Sequence, residues 1–254
     1  MSQVVVSEED GLRVLRFGTH WCQGAMRIAT PDSLELAYAV NMFAWLPFHD
    51  PDALPSSHLL TLGLGAGSLT RFGHRVLGMR ATAVEIDQDV IAACRDHFLL
   101  APDGERLAIV HGDAAAFLAA RRGAADVDVL QVDAYDADVR APVLDSEPFY
   151  ADCRASLRDG GTVVVNLMGR QLQARDSVAR LRRGLRPNVV WQLPPTASGN
   201  VIVVAHCGQP PSEEELAARA GVIEARWQLP AREWLATARR SAGGPAGADG
   251  GAPA

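Results

Sequence analysis

The chain has 254 residues, 48% of them hydrophobic, and a formal net charge of −6. That length and apolar share support one substantial core. The acidic balance speaks against a dedicated nucleic-acid binder, which carries a basic face, and no apolar run approaches the roughly 20 residues that span a bilayer. Residues 1–10 are acidic and lack the basic start and apolar middle of a secretory signal. Cys22, Cys94, Cys153 and Cys207 are scattered, without metal-ligand spacing, and read as reduced core residues of a cytoplasmic protein.

In chain order, apolar residues at 4–6 and 12–17 flank Glu9-Asp10-Gly11, which is a hairpin signal. Residues 33–46 read as a helix, capped by Asp32 or Ser33 and ending before Pro47. These make a small N-terminal unit, 1–52. From 53 to 210, short apolar runs alternate with helix-compatible stretches. The expected strands are 59–62, 81–85, 107–110, 127–132, 162–167, 189–192 and 201–205. The expected helices are 68–77, 89–98, 113–121 and 147–157. Such alternation predicts an α/β fold with a mostly parallel seven-stranded sheet and helices on both faces. The turn formers of 194–200 make the last two strands an antiparallel closure. Helices at 212–220 and 231–240 fill a C-terminal segment, 211–240. Residues 241–254 are nearly all Gly, Ala and Pro and form an expected disordered tail.

The first strand of the alternating zone runs into Gly63-Leu64-Gly65-Ala66-Gly67-Ser68 and then a helix. Glycines permit tight turns and close ligand approach, and the helix start offers free N–H groups. The second strand ends in Val84-Glu85-Ile86-Asp87, about 20 residues on, where a carboxylate can accept both hydroxyls of a ribose. Glu85 or Asp87 could instead cap the next helix, a role that suits Asp87 better. The third strand ends in His111-Gly112-Asp113-Ala114, with an acid where an adenine amino group would lie. Position six of the loop is Ser68 rather than the third glycine of a dinucleotide fingerprint, and no P-loop Gly-Lys-Ser/Thr is present. A nucleoside without phosphates, of the S-adenosylmethionine type, satisfies these constraints.

The fourth strand delivers Asp133-Ala134-Tyr135-Asp136-Ala137-Asp138 to the same end of the sheet. Asp133 and Asp136 can converge on one amine and take its proton, or can belong to an acidic surface loop. A positioned general base contributes about 10²–10⁴ in rate. The five tryptophans read as core or interface residues, and His20, His49 and His111 have no metal-ligand partner at helical or hairpin spacing.

With these motifs in order, residues 17–205 resemble the spermidine synthase family of polyamine aminopropyltransferases. The matching stretches are the Gly63–Gly67 loop, Val84-Glu85-Ile86-Asp87, Gly112-Asp113 and Val132-Asp133-Ala134-Tyr135-Asp136. Ser146-Glu147-Pro148-Phe149-Tyr150, Leu157-Arg158-Asp159-Gly160-Gly161 and Ser198-Gly199-Asn200 also match. Gln23 and Tyr38 fall near the family's strand-end glutamine and helix tyrosine. The resemblance implies a Rossmann-like methyltransferase fold. It also implies transfer of an aminopropyl group from decarboxylated S-adenosylmethionine to an amine acceptor such as putrescine. No cofactor is then tightly bound and no metal is needed. The nucleoside would rest on Gly63, Gly65, Gly67, Glu85, Ile86, Asp113, Ala114 and Asp133. Asp133 would deprotonate the attacking amine, with Asp136, Tyr135, Tyr38, Gln23 and Asn166 around the acceptor. The partner is a small-molecule amine, with no nucleic acid and no membrane, and family members commonly associate as homodimers.

The chain departs from the family pattern at five positions. Ala66 stands where the loop carries an Asp facing the donor's amino group. Ala137 replaces a Pro, Asn166 a Gln, Thr196 a Tyr, and Ala39 a polar residue. Two further functions follow from the same fold: an S-adenosylmethionine-dependent methyltransferase, or an adenosyl-binding homologue with weakened or lost catalysis.

Overall fold

The computed structural model describes residues 4–18, 22–134, 144–168 and 171–242. An antiparallel sheet opens the chain, with strands β1 (Val4–Glu9), β2 (Leu12–Phe17) and β3 (Cys22–Arg27) in that order. Asp10 and Gly11 both take positive φ and join Glu9 to its partner Leu12, the two-residue turn that suits strand twist. β3 exceeds the expected hairpin, because Cys-Gln-Gly-Ala-Met-Arg has no clean alternation to announce a strand.

The expected helix at 33–46 shrinks to α1 (Ala37–Asn41), followed by turns and a 3₁₀ turn at Leu46–Phe48. Neither Asp32 nor Ser33 caps it. Asp32 faces Arg75 at 3.1 Å and Arg71 at 3.9 Å instead. Met42 to Leu46 is buried on every side, so this stretch has no polar face for a surface helix to turn outward.

The main sheet holds β4 (His58–Leu62), β5 (Arg80–Glu85), β6 (Leu107–His111), β7 (Val127–Val132), β8 (Leu157–Met168), β9 (Val189–Gln192), β10 (Asn200–His206) and β11 (Arg239–Ala242). Their order is β11-β9-β10-β8-β7-β4-β5-β6. The five strands from β8 to β6 are parallel, whereas β8/β10, β10/β9 and β9/β11 are antiparallel. The sheet therefore has eight described strands rather than seven. The added strand β11 replaces the end of the expected 231–240 helix, which stops at Thr237. Its Arg240 lies 4.7 Å over the Trp191 ring and pairs with Glu213, contacts between segments that a local pattern cannot announce.

Helices cover both faces: α2 (Ser68–Arg71), running on as a π turn through Phe72–Val76, α3 (Gln88–His97), α4 (Ala114–Ala120), α5 (Glu147–Ser156), α6 (Gln171–Leu185), α7 (Glu213–Trp227) and α8 (Ala231–Thr237). Asp87, Asp113 and Ser146 cap α3, α4 and α5 through their side chains, and Ser212 with Glu215 forms a capping box on α7. The expected helix at 147–157 gives up Leu157 to β8. Helix α6 is an addition, and α7 runs past the expected end at 220 despite Gly221.

One core layer packs Met42, Phe43, Trp45, Trp191 and Trp234 on one face of the sheet. A second packs Leu60, Leu130, Val163 and Tyr150 on the other, and a third joins Leu15 and Met26 of the small sheet to Val90 and Phe98. The four cysteines are unpaired; Cys94 and Cys153 are buried, whereas Cys22 is exposed, unlike the core residue expected. No described helix is long and apolar enough to cross a membrane.

Candidate active site

Strand β4 lies between β5 and β7, so the chain leaves it toward one side of the sheet and later returns to the other. The carboxyl end of such a switch strand is where open α/β folds hold ligands. The glycine loop starts there. Gly63, at φ +92°, is compulsory: a Cβ would collide with the Asp133 carbonyl, where the ends of β4 and β7 meet. Gly65, at φ +51°, brings the loop against β3, leaving a Cβ only 3.1 Å from the Gln23 carbonyl. Gly67 takes the left-handed N-cap of α2 and lies behind the cavity wall. Ala66 is buried with its methyl turned to β3: a Cβ on Gly24 would come within 2.5 Å of it.

Glu85, 9% exposed, ends β5 and holds this loop. Its Oε2 accepts from the Leu64 N–H at 2.8 Å and its Oε1 from the Asp87 N–H at 3.0 Å. Burial raises its pKa, opposed by the N–H groups of Asp87, Leu64 and Ile86. Asp87 is spent as a cap, accepting from the Asp89 N–H. Ile86, 66% exposed, gives the cavity an apolar wall. Asp113 also caps its helix, accepting from the Ala116 N–H at 2.7 Å through one carboxylate oxygen, and still borders the cavity beside Ala114. Capping and ligand contact are therefore compatible at Asp113.

Asp133 follows β7. Its Oδ1 accepts from the Asn166 side-chain amide at 2.8 Å, and the Tyr38 hydroxyl donates to the same carboxylate. Burial pushes its pKa up to about 7 from an ordinary 3.8. The Asn166 and Tyr38 bonds oppose this, while the nearby Glu85 charge adds to it. A carboxyl poised near neutrality is suited to taking a proton and then releasing it.

These groups enclose a cavity of about 500 Å³. Ten of the expected site residues border it: Gly63, Gly65, Glu85, Ile86, Asp113, Ala114, Asp133, Gln23, Tyr38 and Asn166. Tyr135 and Asp136 lie outside the described residues. Several wall residues escape the sequence pattern. Leu36, Met168 and Leu144 are apolar and carry no chemical signal. Ser198 and Asn200 do carry a signal, because they belong to the family-matching Ser-Gly-Asn stretch that leads into β10. Among the described residues, the charged side chains on the cavity wall are Glu85, Asp113 and Asp133. No Arg, Lys or His side chain joins them.

Fold and cavity define a class: a Rossmann-like α/β protein of methyltransferase architecture, with an acidic cleft at its switch point. Residues 57–214 match the spermine/spermidine synthase domain. The chain is 33% identical over 242 residues to the polyamine aminopropyltransferase of Neisseria meningitidis serogroup A, an alignment covering 94% of this chain and 90% of that one. A probable spermidine synthase from Corynebacterium glutamicum superposes with a TM-score of 0.73 at 18% identity, over 95% of this chain and 88% of that one. Human methyltransferase-like protein 13, solved with SAH, superposes with a TM-score of 0.68 at 22% identity, covering 76% of this chain and 93% of its own. The two structures share the fold. This chain belongs to the spermine/spermidine synthase family.

Proposed function

We propose that this protein is an aminopropyltransferase that moves the aminopropyl group of decarboxylated S-adenosylmethionine onto an amine such as putrescine. In the step, the acceptor nitrogen attacks the methylene carbon next to the sulfonium. The C–S bond breaks with its electron pair going to sulfur, methylthioadenosine leaves, and the proton lost from nitrogen passes to Asp133. On this reading Glu85 grips the ribose, Asp113 the adenine amino group, and Tyr38 and Asn166 hold Asp133 toward the acceptor. Gln23, Tyr135 and Asp136 belong with the acceptor. The four unpaired cysteines suit a reducing cytoplasm. A homodimer is the proposed assembly, and the outer edge of β1 offers it a surface.

One observation carries the reading: the described cavity wall has three carboxylates and no cationic side chain. A cationic donor lacking its own carboxylate is favoured there. A donor that keeps its carboxylate places an anion among them, at about 3 kcal/mol for each like charge near 6 Å at an effective dielectric of 20. Ala66 favours a second reading, methyl transfer from S-adenosylmethionine, because no loop acid awaits the donor ammonium. Isothermal titration separates the two. Decarboxylated S-adenosylmethionine is expected to bind at least ten-fold tighter than S-adenosylmethionine, and the reverse order overturns aminopropyl transfer. Tight binding with no methylthioadenosine release from putrescine, cadaverine or agmatine identifies a binding homologue instead.

A further inference from the structure

We infer that Asn200 is a positioning residue for Asp133, acting through Asn166, so that the turn before β10 sets the orientation of the base. The inference rests on the proposed role of Asp133. In the β8/β10 register, Ile202 faces Asn166 and Asn200 faces Met168. Asn200 is thus the diagonal neighbour of Asn166 on the same face of the sheet, within reach of a long polar side chain.

The bonds run in one direction. An ionised carboxylate only accepts, so Asn166 turns its amide nitrogen to Asp133 Oδ1, at 2.8 Å. Its carbonyl then faces Asn200, whose nitrogen donates to it at 3.0 Å. The Asn200 carbonyl in turn accepts from the Ser198 hydroxyl at 2.7 Å and the Thr196 hydroxyl at 3.3 Å. Asn166 and Asn200 are each 4% exposed, so a reversed amide at either place leaves a buried group facing its own kind. The turn that starts the relay is closed by paired main-chain bonds, Thr196 N–H to the Asn200 main-chain carbonyl and Gly199 N–H to the Thr196 main-chain carbonyl, both 2.9 Å. Among the described residues, the other titratable groups facing Asp133 or its cavity are Glu85 from β5, Tyr38 from α1 and, across the cavity, Asp113 before α4 and Cys22 of β3.

Asn200→Asp reverses the relay. Its carboxylate claims the Asn166 nitrogen and turns the Asn166 carbonyl onto Asp133. The test is the carboxyl-carbon NMR titration of Asp133, identified by the signal missing in Asp133→Asn. Asn200→Asp is expected to raise the midpoint by about one unit, and by less than half as much in an Asn166→Leu background. Direct repulsion between the two acids would instead give the same shift in both backgrounds, and that result, or no shift, overturns the relay. If Asn200→Asp does not fold, Ser198→Ala at the exposed end carries the test. It should raise the midpoint by about 0.3 units with Asn166 present and by nothing measurable in the Asn166→Leu background; no rise in either background overturns the relay.

The acid limb of the pH–rate profile for aminopropyl transfer should move upward with the NMR midpoint. Expected NMR shifts in a protein that transfers no aminopropyl group leave the relay standing and remove the proposed function. Transfer with NMR shifts that ignore Asn166 removes the relay alone.

Discussion

Replacing Asp133 by Asn should slow the protein and stabilise it at the same time. The isosteric amide keeps a carbonyl for Asn166 to donate to, so packing changes little, but it cannot take a proton. Methylthioadenosine release with decarboxylated S-adenosylmethionine and putrescine should fall by about 10²–10⁴-fold. The stability effect follows from the raised carboxyl, about 7 in the folded protein against an ordinary 3.8. The folded state holds this proton more tightly than the unfolded chain, so the wild-type protein loses stability as pH rises from about 4 to 7. The Asn variant has nothing to titrate there. Its advantage should be absent near pH 4, grow through that window and level off above 7. Three units at about 1.4 kcal/mol each set an upper bound of ~4 kcal/mol, and partial solvent access brings the expected gain to about 1–3 kcal/mol. Urea unfolding at pH 4.5 and pH 8 measures it. A variant within ten-fold of wild-type turnover, or a stability difference equal at both pH values, refutes the reasoning.

Three other changes test the frame around the base. Glu85→Gln would weaken the charge-assisted grip proposed for the ribose, and methylthioadenosine affinity measured by calorimetry should drop about 10–100-fold; unchanged affinity removes that role. Gly24→Ala forces a methyl to within 2.5 Å of the Ala66 side chain and 2.7 Å of its nitrogen, which should cost about 1–3 kcal/mol in a denaturant melt. His49 and His206 bracket the Thr162 hydroxyl at 2.8 and 2.9 Å, and burial lowers them to about 3 and about 4. The unfolded chain takes up these protons first, so stability is full above about 6.5 and falls as pH drops toward 3. His49→Gln should recover about 1–3 kcal/mol of that loss at pH 4.5 by urea unfolding, and an unaltered acid slope would count against it.

The sheet is legible in the sequence because its central strands are buried on both faces and read as unbroken apolar runs, as in Leu59-Leu60 and Val163-Val164-Val165. The site's carboxylates are legible because parallel strands bring every carboxyl end to one rim, so strand order alone places Glu85, Asp113 and Asp133. The segments that escape such a reading depend on distant partners. β3 is held by its pairing to β2 and by the glycine loop packed on Gly24, and β11 by Trp191 and Glu213. The 33–46 stretch shows the opposite failure, since its apolar residues satisfy a helical pattern while the core encloses the last of them, Met42 to Leu46, from all directions. Asn200 shows in the sequence as part of a family-matching turn but not as a partner of Asn166, because that link lies in a cross-strand diagonal that only the register reveals.

The double tie that Glu85 makes to Leu64 and Asp87 has a consequence for how occupancy is registered. The loop that would receive the sugar is already shaped by the residue proposed to grip it, so the entropy of ordering that loop is lost during folding rather than on ligand capture. Heat protection by an adenosyl compound then measures affinity with little contribution from loop rearrangement, and ligands that differ only at the sulfur end can be ranked on one scale.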